Sequence, residues 1–209
     1  MKRRRIVVPV ALAFALALTP CSASFANPPP AAAPGAAPPG AAPLDEVLHL
    51  LGQRRHSHVT FTEVQQLAML DQPLHSSGEL LYDAPDRLEK RTLKPKPEEL
   101  LLEHGLLTAQ RGQHRRVVPL AEYPQALPFI ESIRATLAGD RAALEQYFTV
   151  QFSGSVGGWT LELVPRNAAL ARTVQLVRIE GERDDVRTVQ ILQSDGDASF
   201  LTIGPEVSP

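Results

Sequence analysis

The chain has 209 residues, of which 44% are hydrophobic and 21% charged, with 21 Lys and Arg against 23 Asp and Glu. Such a composition is too apolar for wholesale disorder and too even in charge for a nucleic-acid binder. Cys21 is the one cysteine, so an intramolecular disulfide framework is excluded.

Met1-Lys2-Arg3-Arg4-Arg5 is a basic opening, followed by thirteen apolar residues from Ile6 to Leu18. As a helix that run spans about 20 Å, short of the roughly 30 Å hydrocarbon core of a bilayer. With small residues at Ser24 and Ala26, residues 1–26 read as a secretory signal peptide cleaved after Ala26, which predicts soluble export. Lys2, Arg3, Arg4 and Arg5 leave with it and no acidic residue does, so 17 basic residues then face 23 acidic ones, a net charge of −6. An acidic exported chain has no electrostatic reason to bind nucleic acid or an anionic membrane face. Acylation of Cys21 is the alternative; Leu18 suits it, whereas Pro20 immediately before the cysteine opposes cleavage there.

Residues 27–43, NPPPAAAPGAAPPGAAP, hold seven of the 19 prolines and no charge. They read as a disordered, partly polyproline-II linker. One domain remains, residues 44–209, large enough for a single good core. Leu44, Val47, Leu48 and Leu51 have helical spacing, with Gly52 as the expected stop. A long strand follows, in which Val59, Phe61, Leu67 and Met69 share one face, interrupted by Glu63 and Gln65. Further strands are expected over 76–82, 87–93, 99–102, 106–109 and 115–120, with a tight turn at His104-Gly105. A helix over 124–138 would align Phe129, Ile130, Ile133 and Leu137 and stop at Gly139; Asp140 would cap a second helix over 141–147. Strands return over 148–156, 159–164, 173–180, 186–193 and 199–203. Strands, a helix pair, then strands with short connections make an α+β domain: an antiparallel sheet of about ten strands with helices gathered on one side.

Catalytic and metal templates do not fit. Ser153-Gly154-Ser155-Val156-Gly157 would need glycine at 153 to be a nucleophile elbow and reads as a hairpin end. Asp195-Gly196-Asp197 lacks the other ligands of a calcium loop, and Asp184-Asp185 reads as a solvated loop pair. His56 and His58 face one way on a strand, and His114 or His104 could supply a third ligand, but no carboxylate partner is evident. The domain is therefore expected to be no enzyme and to need no cofactor and no metal. The question it leaves is whether the sheet and the helix pair fill each other or leave a groove between them.

The order of these segments resembles the LolA-type periplasmic carriers of outer-membrane lipoproteins. His58-Val59-Thr60-Phe61-Thr62-Glu63 looks like the first strand of that family. Gly78-Glu79-Leu80 with Pro85 and Leu88, and Pro97-Glu98-Glu99-Leu100 leading to His104-Gly105-Leu106, follow its pattern. Trp159-Thr160-Leu161-Glu162-Leu163-Val164-Pro165 falls in the expected place, and the likeness is strongest to the subgroup with APDRLEK and PKPEEL. The resemblance implies an unclosed antiparallel β-barrel covered on its concave side by helices, with acyl chains held between and residues 127–137 as a lid. It implies a monomeric carrier that takes acylated lipoprotein or lipid cargo from an inner-membrane exporter to an outer-membrane acceptor. The implied lining is Val59, Phe61, Leu67, Met69, Leu80, Tyr82, Phe129, Ile130, Ile133, Leu137, Trp159, Leu161 and Leu163. Three acyl chains of about fifteen methylenes, at roughly 0.8 kcal/mol each, would give on the order of 36 kcal/mol. Non-covalent affinities stop near 18–21 kcal/mol, so a carrier covers its cargo only in part or gives up affinity to open its lid. One departure is local: Ala84 precedes Pro85 where the family has a basic latch residue, leaving Arg87 or Arg91 as substitutes, and the subgroup likeness admits a glycolipid or polyene-type cargo. The other readings are a tethered acceptor if Cys21 is acylated, an envelope scaffold without ligand, or a hydrolase using Ser155.

Overall fold

The computed structural model describes residues 41–122 and 127–207, without the side chains at 41, 42, 128 and 129. The expected signal peptide, Cys21 and most of the expected linker lie outside the described residues.

Helix α1 (Ala41–Gln53) comes first. Six strands then run back and forth: β1 (His56–Gln66), β2 (Leu74–Asp83), β3 (Arg87–Lys94), β4 (Glu98–Glu103), β5 (Leu106–Arg111) and β6 (His114–Pro119). Helices α2 (Leu127–Leu137) and α3 (Arg141–Tyr147) carry the chain to β7 (Phe148–Ser155) and β8 (Gly158–Pro165). A short helix, α4 (Ala168–Ala171), precedes β9 (Val174–Glu182), β10 (Asp185–Gln193) and β11 (Ala198–Glu206). The eleven strands form one antiparallel sheet in the order β6-β5-β4-β3-β2-β1-β11-β10-β9-β8-β7. The first meander grows outward from the centre, the helices cross to the far edge, and the second meander returns to pair β11 with β1. Strands β6 and β7 are the two edges, so the barrel is not closed. His114, Arg115, Arg116 and Pro119 make β6 a poor template for a further strand.

Cross-strand partners share a face. Phe61 pairs with Gly78 and Ile203, and Glu63 with Leu201; Leu201 leads through Val189 and Ile179 to Leu161. This continuous face is the concave one that carries the helices. On its C-terminal wing, β7 to β11, the residues Leu161, Leu163, Val177 and Ile179 join Leu44, Val47, Leu48 and Leu51 of α1 in one buried core. The 3.6-residue spacing of the α1 leucines and the two-residue spacing of the strands put all of these side chains into one layer. Trp159 lies over Gly181, where a Cβ would stand 2.3 Å from the indole ring, and its Nε1–H donates to the Arg183 carbonyl at 3.1 Å.

The helices meet through small residues. Gly52 is not a stop but lies inside α1, where a Cβ would approach the Ala138 carbonyl oxygen at 2.8 Å. Gly139, at φ +68°, ends α2 in a Schellman turn, with Asp140 N–H donating to the Ala135 carbonyl at 2.8 Å and Gly139 N–H to Thr136 at 3.1 Å. A Cβ at Gly139 would come within 2.1 Å of the Leu48 carbonyl oxygen. Asp140 then caps α3 as expected, its carboxylate accepting from Ala143 N–H at 3.0 Å. Helix α4 is the element the sequence reading missed; Asn167 caps it, accepting from Leu170 N–H at 2.8 Å.

Two loop readings change. Asp184-Asp185 is not a free solvated pair: Arg54, just after α1, donates to Asp184 at 2.9 Å and to Asp185 at 2.7 Å. Burial pushes the Asp184 carboxyl up, and the Arg54 hydrogen bond and charge override it and hold it below its ordinary value. His56 and His58 do have carboxylate partners on β2, Asp83 at 2.7 Å and Glu79 at 3.0 Å. Sequence distance hid both pairings. Among the described residues no group of three or more His, Cys, Asp and Glu gathers as a metal site would require.

Candidate functional site

The N-terminal wing, β1 to β6, turns the same concave face inward but lacks a helix seated on it like α1. Its rows run across the strands. One row is Ser57, Tyr82, Leu88, Leu102, Leu107 and Val118; the next is Val59, Leu80, Lys90, Leu100, Ala109 and Arg116. Phe61, Tyr82 and Leu102 are buried, whereas Val59, Leu80, Leu88, Leu100, Leu107 and Val118 are only half-buried. None of the wing's buried residues belongs to the main core. The apolar surface here is a separate, partly covered band.

Glu63, which interrupts the apolar pattern of β1, marks the polar border of that band. Its side chain is 8% exposed and accepts from Lys90 Nζ at 2.7 Å, Ser199 Oγ at 2.8 Å and Ser76 Oγ at 3.0 Å. Burial alone would raise its pKa, but the Lys90 ammonium and these hydrogen bonds hold it below the ordinary value. Lys90 also stands 5.0 Å from the Phe61 ring centroid, a cation–π distance. A charge on this face is thus paired and satisfied.

Helix α2 lies against α1 and α3. The expected burial of its large apolar side chains is not what occurs. Ser132, Ala135 and Thr136 are the buried ones, with Thr136 Oγ1 donating to the Ser132 carbonyl at 2.7 Å. Ile130, Ile133 and Leu137 are half-buried. The reason is the close approach at Gly52 and Gly139, which admits only small side chains between the helices. The Phe129 side chain lies outside the described residues.

The thirteen residues singled out in the sequence therefore fall into four groups. Val59, Phe61, Leu80 and Tyr82 come together on the concave face of the N-terminal wing. Ile130, Ile133 and Leu137 are on α2, Ile133 packing against the main core. Trp159, Leu161 and Leu163 are on the concave face but sealed under α1, where the protein's own side chains fill the space. Leu67 and Met69 are not on the strand face at all, because β1 ends at Gln66; Met69 is in the following turn and 76% exposed. Leu88, Leu100, Leu102, Leu107 and Val118 were missed: EELLLE over 98–103 does not alternate, and only the strand register puts these residues on one face. A cavity of about 210 Å³ outlined by described residues lies on the opposite, convex face, between Arg178, Gln190 and Phe200. It is smaller than the usual ligand pocket of roughly 300–1,000 Å³.

Residues 36–204 match the family model described as outer membrane lipoprotein carrier protein LolA-like. The chain belongs to this LolA-like family. No curated protein matches it by sequence. Similar solved structures include a LolA superfamily protein from Nitrosomonas europaea, 9% identical, covering 80% of this chain and 92% of that one with a TM-score of 0.44. MucB in the Pseudomonas aeruginosa MucA/MucB complex is 15% identical over 79% of this chain and 58% of that one, TM-score 0.42, so this chain spans less than two thirds of it. LprF from Mycobacterium bovis is 14% identical over 79% and 93%, TM-score 0.35. In this LolA-like chain Arg87 and Arg91, the expected substitutes for a latch, both bond the carboxylate of Glu89, which faces away from the helices. Neither reaches the concave side. The cations near the Tyr82 end of the band are instead Arg55 and, on α2, Arg134, itself paired with Glu131 at 2.7 Å.

Proposed function

We propose that the chain is a periplasmic, non-enzymatic carrier that holds acyl chains between α2 and the concave face of β1 to β6. It would take acylated lipoprotein or another lipid from an inner-membrane exporter to an outer-membrane acceptor. The observation that carries this is a mismatch of coverage. Two apolar surfaces, the Leu80–Leu100 band and the Ile130–Leu137 side of α2, are only half-buried, while the neighbouring wing is sealed. An apolar surface left half-covered in a globular domain is a binding surface in waiting. Family membership supports the same reading. Partial coverage also suits release, since a fully enclosing site would hold long acyl chains too tightly.

The test is mass spectrometry of lipid extracted from gently purified protein, which should yield an acylated species; lipid-free protein would favour a scaffold. Ile133 packs on the main core, so the lid variant belongs at Ile130, where Ile130→Glu should abolish loading and leave the circular dichroism spectrum unchanged. Unaltered loading would remove α2 from the site. The mature N-terminus decides between soluble export and a tether: a chain beginning at Asn27 fits the first, an acylated Cys21 the second. A Ser155→Ala variant should carry lipid as the wild type does.

A further inference from the structure

Tyr82 is 4% exposed, and its hydroxyl is buried with no hydrogen-bond partner among the described residues. A buried hydroxyl left unpaired is costly, and most such groups in folded proteins find a partner. This one sits on the concave face, in a row that runs from Ser57 through Tyr82 to Leu88, Leu102, Leu107 and Val118. Ser57 does not bond it, and beyond Tyr82 the row is apolar. Arg134 and Arg55 lie within electrostatic reach of the hydroxyl, as does Asp86. The row crosses four strand spacings from β2 to β6, about 19 Å, the reach of an extended acyl chain of about sixteen carbons.

An acyl chain carries one strong acceptor, the ester or amide carbonyl where the chain joins its head group. Placed at the Tyr82 end, the carbonyl satisfies the orphan hydroxyl, the chain runs along the apolar row, and the head group lies toward Arg55 and Arg134. We propose that the Tyr82 hydroxyl is a specificity determinant: it donates a hydrogen bond to the carbonyl of a bound ester- or amide-linked lipid, so the site prefers acyl lipids to ether-linked ones. The proposal rests on the acyl-binding reading above.

Two lysophospholipids with the same choline head and the same chain length separate the possibilities: 1-palmitoyl-lysophosphatidylcholine, an ester, and 1-hexadecyl-lysophosphatidylcholine, an ether. Isothermal titration below their micelle concentrations should show wild-type protein binding the ester about tenfold tighter. Tyr82→Phe should weaken the ester alone and erase the preference. The lipid-free variant should unfold at the same temperature as wild type or higher, because an unsatisfied hydroxyl has been removed. An ester preference that survives in Tyr82→Phe, equal weakening of both lipids, or a lowered unfolding temperature would each overturn the assignment. Wild-type binding with no ester preference sinks this proposal and leaves the groove intact, whereas no binding of either lipid sinks the acyl-binding reading as well.

Discussion

In the C-terminal wing Leu161, Leu163, Val177 and Ile179 meet Leu48 and Leu51 of α1 and are all but inaccessible. In the N-terminal wing the same face of the same sheet leaves Val59, Leu80, Leu100 and Leu107 half-covered, with a satisfied charge pair at its border. Part of the difference is in the strands, since the N-terminal rows also carry Ser57, Lys90 and Arg116. The rest comes from where the helices go. Helix α1 is committed to one wing, and α2 is drawn onto α1 and α3 by the Gly52–Gly139 approach, which leaves its large side chains only half-buried. One wing is closed by its own helix, and the other, half-covered, is where the proposed cargo would bind.

Truncation measures this asymmetry most directly. Leu163→Ala should destabilise by about 3 kcal/mol, since a fully buried leucine leaves a cavity, while Leu100→Ala should cost about 1 kcal/mol or less. Urea denaturation midpoints report both, and equal costs would erase the distinction between the wings. Lys90→Met comes next, at about 1–3 kcal/mol, because it strands the Glu63 carboxylate while Lys90 itself is partly solvated. The sign with pH is specific. In the wild type the folded Glu63 pKa lies below its unfolded value of about 4.3, so its stabilisation is complete above that pH and fades as the pH falls through the folded pKa. In Lys90→Met burial dominates and raises the folded pKa, so stability instead declines as pH rises above about 4.3. Asp140→Ala should cost about 1 kcal/mol in thermal unfolding by uncapping α3, part of the helical crossing. The smallest effect is expected on the convex face, where Arg178→Ala breaks the half-exposed pair with Glu162 at 2.6 Å and should cost under about 1 kcal/mol.

Much of the strand plan was legible because two-residue alternation and turn glycines are local signals; His104 and Gly105, both at positive φ, form the turn expected there. The Asp140 cap was legible for the same reason. What escaped notice depended on partners far along the chain. Glu63 looked like an interruption because Lys90 and Ser199, which satisfy it, cannot be assigned from β1 alone. Gly52 looked like a helix end because its neighbour is Gly139. The α2 apolar stripe was read correctly as a pattern, but which side of the helix is buried depends on backbone approach, and that is set in three dimensions.

The pairing at the middle of the sheet joins the most distant parts of the domain. Thr62 of β1 faces Thr202 of β11, about 140 residues away. Each meander is built of neighbouring hairpins that form quickly, but their union requires closing almost the whole chain into one loop, and contacts of that range are slow to form. Folding should therefore be limited by the joining of two preformed halves, and until that seam zips, β1 and β11 are bare strand edges for which a chaperone would compete.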